Sequence, residues 1–376
     1  MSSILILGGG FGGVVAAEKL AASLGSSHQI TLVAPNQKFT FYPALVQLAF
    51  GKIQPEDIQF DLDEKLREIG VRYVQGEMIR IHPVRRKVEI SGDDFSGEIA
   101  YDYLVIAVGR RLATEKVPGF FENAQHLLGV NAALKFGILA DQFREGRILV
   151  GLCPDARLPV PVCETAFALA KKFEAEMEQG KIQVSVIFPE SLEAAFGGAR
   201  LHKELEAAFK RHRISVHYEV PIREITFNQV NSSEGHEIKC DLLMLVPPFR
   251  GNSALRNLNV TDESDFVRVD GMLRVHELDR TYAIGDIVAF SGPKLAHMAV
   301  RQAEVAAANI VSEINGEAPT KEYYHEIAAV IDANGPDSIY LHYGIWDDTL
   351  YRLKKGRFWS WAKEAHDALW RTKHQH

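Results

Sequence analysis

Apolar runs and glycine turns alternate from the first residues of the chain. "ILIL" (4–7) is a short apolar run, long enough for a strand buried on both faces. "GGGFGG" follows, and then "VVAAEKLAASL", which suits an amphipathic helix. "QITLVAPN" (29–36) reads as a second strand, and "YDYLVIAVGRRL" (101–112) as one returning to the same sheet with Gly109 at the crossover. The middle of the chain repeats this logic with the strand "RILVGL" (147–152) and the helix "ETAFALAKKFEAEME" (164–178). "IQVSVIF", "ISVHYEV" and "CDLLMLV" add further strands. A late strand, "RTYAIGDIVAF", precedes the helical stretch "PKLAHMAVRQAEVAAANIV" (293–311). This order predicts an α/β fold with two Rossmann-like domains. One is discontinuous, 1–107 and 268–317. It is interrupted by the second, 108–267, and followed by a C-terminal segment, 318–376.

Composition changes this picture in one place. The 376 residues are 47% hydrophobic and 24% charged, with net charge −7, so no nucleic-acid partner is expected. Three cysteines are too few for a disulfide framework and suit a reducing compartment. No secretory signal and no apolar run of about 18 residues are found, so any membrane contact is expected to be peripheral. No metal site is expected. Residues 351–376, however, carry seven Lys and Arg against two Asp and Glu, and all four tryptophans lie from Trp346 onward. Within this tail Phe358, Trp361, Ala362, Ala365, Ala368 and Leu369 form one helical stripe flanked by basic residues. The pattern suits a helix lying on an anionic membrane surface; the alternative is packing on the protein's own core or on a second copy.

Gly8, Gly10 and Gly13, with Phe11 and Gly12 between them, have the G-x-G-x-x-G spacing in a strand–turn–helix context. The first glycine makes the turn, the second admits a pyrophosphate, and the third lets helix pack on strand. The acid expected at the end of the second strand is absent. Ala34 stands there, leaving Asn36 or the backbone of Ala34 and Pro35 to hold a ribose. Ala107 and Gly109 form an A-x-G strand end, and Gly285 and Asp286 a second acid-and-glycine grip downstream.

These features, with "FTFYPALVQLAFGKIQPEDIQFDL", "GRRLATEKVPGF", "LLMLVPPFRGNSALRN" and "YAIGDIVAFSGPKLAHMAV", resemble sulfide:quinone oxidoreductases, especially archaeal-type members. The likeness spans nearly the whole chain and extends to the related type II NADH dehydrogenases. It implies FAD as cofactor, a membrane quinone as acceptor and a small reduced donor, a sulfur species included. It also implies a place on the inner, cytoplasmic face of the cell membrane. Oligomeric state is left open, a homo-oligomer included. Lys294 follows a proline just before the late, flavin-facing helix and is a candidate to stabilise reduced FAD electrostatically, against the plainer role of a solvated loop lysine; Ala296 is a further cofactor-binding candidate. The resemblance makes Glu164 a proton-passing acid near the quinone, against the plainer role of a first-turn helix acid.

The chain departs from that family in its cysteines. Leu158, Ala329 and Leu128 stand where the redox and accessory cysteines are expected. Cys153 and Cys163 share a loop and could form a displaced redox pair, whereas Cys240 alternates with core residues. The loop "CPDARLPVPV" lacks the glycines of an NADH site, so an NAD(P)H:quinone reductase needs an untypical nucleotide grip. A non-catalytic flavin-binding protein is the third alternative.

Overall fold

Two parallel sheets carry the fold in the computed structural model, which describes residues 1–93, 95–347 and 349–375. In the first, the strands run in the order Thr281–Ala283, Tyr103–Ile106, Ser3–Leu7, Gln29–Ala34 and Arg72–Gln75. Every neighbouring pair is parallel. Leu7 of the central strand pairs with Val33 on one side and Ile106 on the other. Its apolar run is continuous because both faces of the sheet are covered. The edge strand Thr281–Ala283 arrives from far downstream and brings Gly285 to the same sheet edge region as the early glycine turn. The helices Phe11–Leu24 and Ala296–Ile314 pack together through small residues, among them Ala16, Ala17, Ala303 and Ala306.

The glycine turn is set by close approach. A Cβ on Gly8, whose φ is +116°, would lie 2.1 Å from the Ala107 carbonyl oxygen. One on Gly13 would lie 1.9 Å from the carbonyl oxygen of Gly8. Neither position accepts a side chain without moving backbone.

The second sheet, Ser215–His217, Ile182–Ile187, Gly146–Leu152 and Leu242–Val246, is also parallel throughout. The helix after its Gly146–Leu152 strand runs from Pro159 to Lys172, so it starts before the periodic stretch that the sequence pattern picks out. Prolines there suggest a loop, yet a proline is well tolerated in the first turn of a helix.

Beyond the two sheets lies an element that the sequence pattern does not announce. Strands Glu326–Ile331, Ile339–Gly344 and Tyr351–Lys355 form an antiparallel sheet that leads into the C-terminal helix Arg357–Gln375. Among the described residues no helix is long and apolar enough to cross a membrane.

His325 joins this sheet to the late glycine segment and is buried. Its Nε2 donates to the Ser291 carbonyl at 2.9 Å, so Nδ1 accepts from the Tyr323 hydroxyl at 2.9 Å. That is a neutral ring, and burial lowers its pKa from 6.5 to about 4. Between those values the unfolded chain binds a proton and the native one does not. Stability therefore falls as pH drops through this window, by about 3 kcal/mol in total. In urea titrations, the stability gap between wild type and His325→Gln is expected to narrow from pH 7 to pH 4.5. Parallel pH profiles for the two proteins would contradict the assignment.

Candidate functional site

The first helix begins without a side-chain cap: its N-cap is Gly10, and the N–H groups of the first turn have no intrahelical acceptor. A Cβ on Gly10 would meet nothing within 4 Å, so this side of the turn is open. Phe11 by contrast buries its side chain, and a Cβ on Gly12 would press against Ile284 from the late segment. At the second strand end Ala34 is buried. The carbonyls of Ala34 and Asn36 accept from the Tyr73 hydroxyl at 3.2 and 3.0 Å, and that of Pro35 from Gln75 at 3.4 Å. The Asn36 side chain is exposed.

On the late side Gly285 turns with φ of +79°, and its N–H donates to Gln302 Oε1 at 2.6 Å. Asp286, expected as part of the late acid-and-glycine grip, is ion-paired with Arg110. Arg110 follows the left-handed turn at Gly109 and lies 4.2 Å over the Phe249 ring; its Nε is buried without a hydrogen-bond partner. The motif-based reading passed over Arg110, although "GRR" directly after the A-x-G strand end marks it. Lys294 is buried, not solvated. Its Nζ donates to the Val288 carbonyl at 2.7 Å and sits 4.4 Å over the Phe266 ring. Burial, with the charge of Arg157 nearby, holds its pKa well below the ordinary lysine range. Lys294, Gly285, Asp286, Gln302 and His325 line one cavity, with Ala296 opening the helix beside it. An open glycine turn and uncapped first-turn donors fit the pyrophosphate of FAD.

Glu164 departs from the plainer sequence expectation. Because the helix starts at Pro159, Glu164 lies in its second turn, beyond the reach of a first-turn dipole effect. It is buried, accepts from the Asp332 N–H at 2.9 Å, and pairs with Lys363 Nζ of the C-terminal helix at 2.5 Å. Burial raises the Glu164 carboxyl above its usual range. For Lys363 burial acts to lower the pKa, but the attraction of Glu164 and Asp367 outweighs it and the ammonium is favoured. The pair lines a cleft with Gln47, Phe50, Lys52 and Asn334, and Lys52 Nζ donates to Asn334 Oδ1 at 2.7 Å.

The cysteines do not assemble. Cys163, expected as a catalytic thiol, is fully buried in the main core, and burial followed by the Glu164 charge raises its pKa well above 9.0. Cys153 is equally buried but belongs to a separate apolar cluster with Cys240, and burial raises its pKa too. All three are free thiols, whereas disulfide exchange needs an accessible thiolate. Leu128, Leu158 and Ala329 are partly buried against the main core.

The C-terminal helix has two faces. Lys363, Asp367 and Trp370 turn toward the protein, with Asp367 buried and Trp370 packed on Phe11, Phe39 and Phe41. Phe358, Trp361 and Leu369 are 60%, 63% and 72% exposed, so this part of the stripe does not pack on the core.

Mouse mitochondrial sulfide:quinone oxidoreductase is 23% identical over 338 residues, 85% of this chain and 73% of that protein. Demethylphylloquinone reductase NdbB of Synechocystis is 26% identical over 333 residues, 83% of this chain and 80% of that protein. The crystal structure of sulfide:quinone oxidoreductase from Aquifex aeolicus superposes with a TM-score of 0.92 at 22% identity, covering 100% of this chain and 92% of that one. The family of pyridine nucleotide-disulphide oxidoreductases matches residues 2–150 and 162–303. The match takes in both glycine segments and both parallel sheets, and the chain belongs to that family.

Proposed function

We propose that this protein is a peripheral membrane FAD-dependent oxidoreductase that passes two electrons from a small reduced donor to a membrane quinone. The two-faced C-terminal helix carries the proposal. Its inner face meets the buried Glu164, and its outer face presents Phe358, Trp361 and Leu369 in a tail of net positive charge. Such a helix suits the surface of an anionic bilayer, here the cytoplasmic face of the cell membrane. The similarity to a sulfide:quinone oxidoreductase and to a demethylphylloquinone reductase favours the same acceptor.

FAD supplies reversible two-electron chemistry when bound. Its domain would comprise residues 1–107 and 268–317. The turn Gly8–Gly13 would hold the diphosphate, with Ala34, Pro35 and Asn36 at the ribose and Ala107 and Gly109 bordering the site. Gly285, Asp286, Lys294 and Ala296 would hold the flavin half. Reduction of a quinone by two electrons takes up two protons. Glu164 Oε1 and Lys363 Nζ, in contact and lining one cleft, are groups that can hold and pass a proton there.

The donor side is narrowed by what the loop lacks. Pro159 and Pro161 remove two N–H donors from the first turn of the helix where a second dinucleotide would place its phosphates. That disfavours NADH. A sulfide donor would have to react without a cysteine relay, since all three thiols are buried, Cys163 in one cluster and Cys153 and Cys240 in another.

Three measurements test this proposal. Gly10→Ala adds a methyl into open space, so the apoprotein should melt as wild type does while FAD affinity falls at least about tenfold; unchanged affinity would remove the glycine turn from the site. Glu164→Gln should keep FAD and slow quinone reduction by about tenfold or more. A full rate in that variant would end the proton role. Replacing Phe358, Trp361 and Leu369 together by Glu should abolish sedimentation with anionic liposomes while FAD stays bound. Continued sedimentation would exclude this face as the membrane contact.

A further inference from the structure

The aromatic cluster around Trp370 has no part in the proton or electron route. Its ring centroid lies 5.1 Å from that of Phe11, 5.1 Å from Phe39 and 4.8 Å from Phe41. Phe39 and Phe41 themselves meet Phe11 edge-on at 5.0 and 5.7 Å. Phe11 is the residue between Gly10 and Gly12 and the first of its helix, so its backbone N–H is one of the uncapped donors of the glycine turn. One side of this short segment is open at Gly10, and the other is held by aromatic packing to which the far end of the chain contributes.

Two polar contacts place the same end of the C-terminal helix on the first domain. Lys373 Nζ is 3.8 Å from Glu18 Oε2 on the first helix, and Arg371 Nη1 donates to the Asp57 carbonyl at 3.4 Å. Lys373 is largely exposed and Arg371's bond is long, so neither fixes the helix strongly. Aromatic packing is the stronger restraint, since a tryptophan stacked on Phe39 and tilted against Phe11 and Phe41 buries apolar surface in a specific geometry.

From this geometry we infer that Trp370 is a positioning residue for FAD. By packing on Phe11 it holds the phosphate-binding turn in shape, so docking of the C-terminal helix and binding of FAD are linked. The inference rests on the FAD site proposed above. Linkage is reciprocal: if the docked helix tightens FAD, FAD must tighten the docked helix by the same factor.

The test compares three variants and one proteolysis series. Trp370→Ala should weaken FAD binding at least about tenfold, measured by flavin fluorescence on release, with an unchanged circular dichroism spectrum. Trp370→Phe, which keeps an aromatic ring, should restore affinity to within about threefold of wild type. Trp361→Ala, on the exposed stripe, should bind FAD as wild type does. In the wild type, FAD should slow tryptic cleavage at Arg371 and Lys373, and in Trp370→Ala it should not. Equal FAD affinity in wild type and Trp370→Ala overturns the linkage and leaves the FAD site standing. A wild-type chain that takes up no FAD overturns both. Should Trp370→Ala not fold, the wild-type cleavage rates decide, and equal rates with and without FAD overturn the inference.

Discussion

A carboxylate and an ammonium buried against each other, Glu164 and Lys363, set the register of the C-terminal helix. Removing either charge's partner from such a site costs about 3–5 kcal/mol, because the other is left uncompensated in a poor solvent. Only one rotation of the helix satisfies the pair. That rotation turns Trp370 inward onto Phe11 and leaves Phe358, Trp361 and Leu369 outward. Glu164, the glycine turn and the outward stripe of Phe358, Trp361 and Leu369 are thus arranged by one polar contact and one aromatic contact on a single helix.

The same arrangement explains why the chemistry sits between elements distant in sequence. The parallel sheet brings the Gly8–Gly13 turn and the Gly285–Asp286 segment together, and Gly8 and Gly13 pack closely on neighbouring backbone while Gly10 between them stays open. Arg110, paired with Asp286, carries its charge in protected surroundings, where it acts more strongly than in water, whereas burial of Lys294 disfavours its ammonium. The donor side is built differently. Leu128, Leu158 and Ala329 are partly buried against the main core, and Pro159 and Pro161 stand in the first turn of the helix that follows the Gly146–Leu152 strand.

Much of this was legible in the residues. Strands such as "ILIL" and "CDLLMLV" are apolar throughout because parallel sheets are covered on both faces, and the glycine spacing marks the turn directly. The outward stripe of the last helix was legible too, since Phe358, Trp361 and Leu369 recur at helical spacing. What stayed hidden depends on long-range partners. The Glu164–Lys363 and Asp286–Arg110 pairs join residues whose proximity no local pattern encodes. The helix start at Pro159 was hidden because proline signals both loops and first turns. The inertness of Cys163 and Cys153 follows from burial in separate clusters, while their closeness in sequence suggests a pair.

The most direct measurement is anaerobic stopped-flow spectroscopy of the flavin in the purified, lipid-reconstituted protein. The flavin is first reduced photochemically and then mixed with a short-chain quinone. The account predicts rapid, complete reoxidation, slowed by loss of the Glu164 carboxyl. Reduced flavin that persists unchanged in excess quinone would contradict it.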